Sequence, residues 1–222
     1  VNVMGSVEVV YEQGNSYEVC LVGDAAAFNQ IKVGSNGSDL NISKTGNMIG
    51  NVYVDTSESS KKCDVILEVK APDVSVFNIA GSGQLVVGKM KSTAVTFNQA
   101  GSGKIAVSQV VADHANFNNA GSGRIFIDDV KADYVGLTMN GSGTITCRTC
   151  KATNLNCVLT GSGCISVSGK VGSYKNTVIG SGTLNDSMLK YDKLIDLGRN
   201  VNVGNTYNSR RQDSPDGVIN AR

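Results

Sequence analysis

Residues 81–123 read GSGQLVVGKMKSTAVTFNQAGSGKIAVSQVVADHANFNNAGSG, so one tripeptide occurs three times at 20-residue intervals. Over the whole chain Gly-Ser-Gly stands at 81–83, 101–103, 121–123, 141–143, 161–163 and 180–182, at intervals of 20, 20, 20, 20 and 19 residues. A catalytic glycine loop is needed once in a protein. A corner that closes each turn of a coil is needed once per turn, and a fixed period of this length is the mark of a repeat architecture.

Stacking the units on their triplets exposes apolar columns. Leu85, Ile105, Ile125, Ile145, Ile165 and Leu184 form the first, and Val87, Val107, Ile127, Cys147 and Val167 the second. Met90, Val110, Val130 and Cys150 follow, then Val95, Ala115, Val135 and Leu155, and then Phe77, Phe97, Phe117, Leu137 and Cys157. The apolar-x-apolar spacing is the period of a strand, and β-branched residues dominate it. Each unit therefore reads as two short strands with a bend near the Val/Met column. A unit this small cannot bury its apolar face alone, but identical units stacked ~4.8 Å apart as parallel, in-register strands can.

The fold class expected is all-β: a parallel β-helix, or β-solenoid, with coils of about 20 residues and irregular terminal coils or caps. The crossover rule makes the coil right-handed, and the triplets become its corners, where glycine permits close approach. Leucine-rich repeats have a similar length but require a Leu-rich consensus with an Asn. Calcium-binding glycine nonapeptides place an Asp after their glycines, whereas Gln84, Lys104, Arg124, Thr144, Cys164 and Thr183 follow these triplets. Left-handed hexapeptide coils need a multiple of six.

The regular coils span 73–184. Residues 1–72 alternate without a strict period, as in VEVVYEQGNSYEVCLVG and CDVILEVKAPDV, and read as irregular early coils or a β-cap, giving one domain over 1–184. Within 185–222, NDSMLKYDKLIDLG reads as a short capping helix with an N-cap at Asp186 or Ser187, or as a last degenerate coil, and the remainder as a tail.

Composition bounds the function. The chain has 222 residues, 41% hydrophobic and 18% charged, enough apolar surface for a core. A formal net charge of +1 creates no global field for nucleic acid or acidic membranes. No apolar run approaches a membrane span. The first residues, VNVMGSVEVV, lack the basic-then-apolar pattern of an export signal, as a mature or truncated form would.

The tandem triplets, the opening GSVEVVYEQGNSYEVCLVG with SDLNIS, and LEVKAPDVSVFNIAGSG before the repeats resemble the auto-transporter adhesin head domain family, also called head GIN domain proteins. The resemblance covers about residues 3–183. It implies a bacterial, exported, right-handed parallel β-helix that is often anchored at the cell surface, and it carries no catalytic motif.

Each reactive side chain also has a structural reading. Cys147 and Cys150 have C-x-x-C spacing without a second pair. They and Cys157 replace apolar column residues, so they read as small buried hydrophobes, with a Cys147–Cys157 bridge across one coil left open. His114 is the only histidine and reads as a surface residue. Asp113 and Asp133 share a column flanked by Thr93 and Thr153, with Asp128, Asp129, Arg124 and Arg148 nearby. Stacked acids of this kind line calcium-dependent polysaccharide lyases of the β-helix type, but Lys131 and Lys151 form a neighbouring column able to neutralise them. Asn78, Asn98 and Asn118 follow the Phe column and read as a hydrogen-bonded ladder.

No catalytic, cofactor-binding or metal-ligating residue is assigned, and no cofactor is expected. The expectation is a non-enzymatic protein of the cell surface or periplasm, an adhesin presenting a polar surface to a glycan or protein partner and not to nucleic acid. The alternatives are a pectate-lyase-like enzyme or a structural protein of the envelope.

Overall fold

The computed structural model describes residues 1–23, 28–44, 47–49, 52–54 and 65–200. Their strands, in chain order, are β1 (Asn2–Gly5), β2 (Glu8–Gln13), β3 (Glu18–Gly23), β4 (Ile31–Ser35), β5 (Leu40–Lys44), β6 (Asn47–Ile49), β7 (Val52–Val54), β8 (Val65–Ala71) and β9 (Val76–Gly81). The repeat supplies β10 (Gln84–Gly101), β11 (Lys104–Gly121), β12 (Arg124–Gly141), β13 (Thr144–Gly161), β14 (Cys164–Ile179) and β15 (Thr183–Asn200). From β10 to β15 each strand pairs in parallel with the next, and Leu85, Ile105, Ile125, Ile145, Ile165 and Leu184 lie in one file. The chain is a parallel β-solenoid.

One coil shows why it closes. In β11 the buried positions are Ile105 and Val107, then Val110 and Ala112, then Ala115, Phe117 and Asn119. Alternation slips by one residue twice, and the strand pairing skips those positions, at Ser108 and Asp113. A slip in a period-two pattern turns the chain while keeping apolar residues inward. With the triplet as the third corner, the coil has three sides. The sequence reading of two strands bent near the Val/Met column is thus corrected. The bends flank that column, and a side with only two inward residues, the second as small as Ala112, leaves little trace in hydropathy.

The triplet corner requires its glycines. Gly121 has φ +128°, which other residues rarely adopt, and a Cβ there would lie 2.7 Å from the Gly101 carbonyl oxygen. Gly123 is buried, and its missing side chain is space occupied by Gln99, whose Cγ would be 2.8 Å from a Cβ.

The core runs as one cluster from Val3 to Leu189. Phe77, Phe97 and Phe117 stack with centroids 4.9 and 5.1 Å apart and planes within 5° of parallel, and Tyr11 meets Phe77 edge-on at 5.0 Å. Beside them runs the asparagine ladder, longer than the sequence suggested. Asn118 donates to Asn98, Asn98 to Asn78, Asn78 to Asn2 and Asn2 to Asn41, at 2.9, 2.8, 2.7 and 2.8 Å.

The two added rungs reveal how the N-terminal segment is built. β1 lies between β5 and β9, and β2 lies between β8 and β10, all in parallel. Residues 2–13 therefore form a layer inserted between strands that come much later in the chain. Gly5 pairs with Gly81 and takes φ +90°, so Gly5-Ser6-Val7 is the corner of that layer. β3 and β4 then add antiparallel to β8 and β5, at the outer margin of the stack. β6 and β7 pair with each other, antiparallel.

At the other end, the segment left open between a helix and a degenerate coil is the strand β15, paired in parallel with β14 and interrupted by two register shifts. Among its described side chains, Leu184 and Leu189 are buried. The tail read at the C-terminus lies outside the described residues beyond Asn200.

One buried column breaks the apolar rule. Ile79, Gln99, Asn119, Met139 and Leu159 stack along it, and Gln99 and Asn119 are each 1% exposed. Asn119 donates to the Gly123 carbonyl at 2.7 Å. Neither amide atom of Gln99 has a partner, and an unmatched buried amide destabilises a fold.

Two stability measurements follow from this packing. Phe97→Ala removes the middle ring of the stack and should cost about 3–5 kcal/mol in chemical denaturation; an unchanged midpoint would contradict an inward-facing column. Gln99→Met fills similar space without the unmatched amide and should stabilise by about 1–2 kcal/mol, whereas a lower midpoint would mean that Gln99 is satisfied in solution.

Candidate functional site

The short side of the coil carries the most regular set of charges. Its outward positions in successive coils are Gln109, Val111, Asp113; Asp129, Lys131, Asp133; Thr149, Lys151, Thr153; Ser168, Lys170, Gly172; and Met188, Lys190, Asp192. Strand pairing puts Lys131 beside Lys151, Lys151 beside Lys170 and Lys170 beside Lys190. All four are exposed, and among the described residues none forms an ion pair. Neighbouring unit charges held ~4.8 Å apart repel by up to about 1 kcal/mol in water before salt screens them. Backbone register, not attraction, keeps the file together.

Beside the lysines the surface is concave. Ala112, Ala132, Ala152 and Val171 floor a groove of about 480 Å³, with Lys131, Lys151 and Lys170 on one wall and Asp133, Thr153, Gly172 and Asp192 on the other. The floor is low because alanine fills the inward column of this side, and the far wall rises because the chain turns at the Asp113/Asp133 corner.

The acids weighed in the sequence do not gather into one site. Asp113 and Asp133 are exposed at that corner. Asp128 pairs with Arg148 of the next coil at 3.4 Å, with both side chains more than half exposed, and contributes little to stability. Asp129 stands on the other side of the lysine file and accepts from Gln109 Nε2 at 2.8 Å. The expectation that Lys131 and Lys151 neutralise Asp113 and Asp133 is corrected: neither makes an ion pair among the described residues. Arg124 is exposed, away from the groove, and His114 is exposed with its ring 6.0 Å from that of Tyr134.

Cys147, Cys150 and Cys157 are buried in the core, and all five described cysteines are free, so the Cys147–Cys157 bridge left open in the sequence is not formed. A hydrogen bond with Cys150, and then burial, raises the Cys147 thiol well above its ordinary pKa. Burial chiefly does the same to Cys157. Thiols held protonated are poor nucleophiles and poor metal ligands. Among the described residues no group of three or more His, Cys, Asp or Glu side chains is placed to hold a metal ion.

Sequence reasoning found Lys131 and Lys151 but missed Lys170 and Lys190 as members of the same file. The coil from 161 to 180 is one residue short, and the ladder absorbs the loss by a register shift between Cys147 and Cys150. Lys170 therefore stands nine residues after its corner where Lys151 stands ten after its own. Aligning the short coil on both of its triplets would have recovered it.

A three-sided parallel solenoid with repeated polar files on its faces defines the class, a β-solenoid repeat domain. Within that class, the family model described as "Putative auto-transporter adhesin, head GIN domain" matches residues 1–127 and 115–195, and the chain belongs to this family. The structure is similar to that of a "putative adhesin" from Bacteroides fragilis, with a TM-score of 0.60 and 16% identity over 87% of this chain and 89% of that one. It is also similar to a "putative lipid binding protein" from Parabacteroides distasonis, with a TM-score of 0.55 and 20% identity over 86% and 90% of the two chains. At these identities the likeness is one of fold. No curated protein matches the chain.

The core thiols give a prediction separate from the groove. Iodoacetamide at mildly alkaline pH should modify Cys20 in the native protein and reach Cys147, Cys150 and Cys157 only after denaturation, as read by peptide mass spectrometry. Rapid native labelling of Cys157 would contradict its burial.

Proposed function

We propose that this chain is the non-enzymatic binding domain of an exported bacterial surface protein, and that its stacked outward files, not a pocket, meet the partner. The observation that carries the reading is the repetition itself. The fold sets equivalent side chains side by side in successive coils, so a partner with its own repeat meets many weak, equivalent contacts. Membership of an adhesin head family supports the surface assignment. A repeating partner exposed at a cell surface is most simply a glycan, with a protein as the other class.

The lyase alternative has less support. Its acids would have to converge on one substrate atom, yet Asp128 is engaged with Arg148, Asp129 with Gln109, and Asp113 and Asp133 lie at an open corner.

The test is a glycan array probed with the purified, labelled chain, with and without calcium. Saturable binding to one glycan class, competed by unlabelled protein, is expected. Robust turnover of polygalacturonate with calcium would replace this reading with an enzymatic one.

A further inference from the structure

We infer that the lateral groove is a binding site for an extended acidic polysaccharide, a chain of carboxylated sugars lying along the solenoid axis. The inference rests on the surface-binding reading above and specifies its ligand.

The charge pattern comes first. Lys131, Lys151, Lys170 and Lys190 come from four successive coils, and no ion pair among the described residues neutralises them. The two central lysines have only neutral outward neighbours on their own coils, Thr149 and Thr153 for Lys151 and Ser168 and Gly172 for Lys170. Acids appear only toward the ends, at Asp129 and Asp133 on either side of Lys131 and at Asp192 beside Lys190. A line of cations one strand apart is complementary to a line of anions borne on a repeating chain, and each lysine is free to swing to meet its charge.

The opposite wall narrows the class. A ligand that was anionic on every edge would be repelled by Asp133 and Asp192. A carboxylated sugar chain carries hydroxyls beside one acid group on each ring, so both kinds of group are available along the groove. Carboxylates would face the lysines, while hydroxyls would donate to the two aspartates and exchange hydrogen bonds with Thr153. The floor, where the alanine side chains turn inward and no side chain projects outward, leaves room for a slim chain between the two walls.

Two other polyanions fit less well. Nucleic acid would bring phosphates to the lysines, but none of the groove-lining residues is aromatic, so nothing there would stack a base. An acidic peptide would need a free strand edge to pair with, and in this groove each strand already has its ladder partners on both sides through β14.

The experiment measures binding of the full chain to polygalacturonate oligomers by calorimetry at low salt. Its fully methyl-esterified form, with the same backbone and no charge, and a short DNA duplex serve as comparisons. Polygalacturonate should bind, bind less well as salt rises, and bind better than either comparison. The variant Lys131→Gln/Lys151→Gln/Lys170→Gln alters only exposed side chains and should weaken binding roughly tenfold or more. Lys104→Gln, on another side of the coil, should leave binding unchanged, with circular dichroism confirming that both variants fold.

Equal binding of the triple variant, or equal binding of the methyl ester, would overturn the inference. Tighter binding of the duplex through the same lysines would overturn the ligand class. Array binding to neutral glycans with no affinity for polygalacturonate would remove this site while leaving the surface-binding reading intact.

Discussion

From Ser82 to Ser162, the backbone amide of each corner serine donates to a glycine carbonyl one layer earlier, at 2.9–3.1 Å. That hydrogen bond can form only where two chains approach without side chains between them. A Cβ on Gly101, Gly121, Gly141 or Gly161 would stand within 2.7 Å of the preceding glycine's oxygen. The corner thus fixes both the distance between coils and their register. The buried third glycine adds a further constraint, because its vacant side-chain space holds part of the inward column from the coil before. Displacing one corner would misplace the corner bond and the packing around it together, since they share the same few atoms.

Once register is fixed, every column inherits it, whatever its chemistry. Rings stack face to face at Phe77, Phe97 and Phe117, and amides chain through five asparagines. In both files stacking is favourable in itself. The lysine file is the opposite case, because its members repel and are aligned only because the backbone aligns them. Gln99 is a third case, a polar side chain carried into the core by a column whose other members are mostly apolar. A solenoid so held can tolerate unfavourable columns one at a time, and that tolerance lets an exposed file be shaped by something other than stability.

The triplets and the Leu85, Val87 and Phe97 columns made the solenoid legible in the sequence, because each is a strict repeat of residues with one structural use. The third side was not legible. Its inward residues are few and as small as Ala112, so alternation alone could not separate a turn from a bend. The inserted layer of residues 2–13 was hidden for a different reason. Its neighbours, Asn41 and Asn78, lie on opposite sides of it in space but both far downstream in sequence, and periodicity compares each unit only with the next. Of the candidate site, Lys131 and Lys151 were visible as a pair. The groove was not, since it requires knowing that the alanine column turns inward while the Asp113/Asp133 column sits on a corner.

The short coil bears on function as well as on reading frame. Between Cys147 and Cys150 the ladder loses one position, yet Lys151 still pairs with Lys170 immediately afterwards, and Lys170 with Lys190. The residue is lost at the bend before the lysine position, where the chain is already changing direction and Gly169, with φ +131°, can take up the difference. Had the deletion fallen beyond the lysine, in the long side that follows, the file would have kept its ten-residue offset and the core columns from Leu155 onward would have slipped instead. As built, the irregularity sits between two unbroken files, one in the core and one on the surface. A surface whose recognition depends on spacing requires that continuity, because a ligand with a fixed repeat can engage successive coils only while their side chains remain in step.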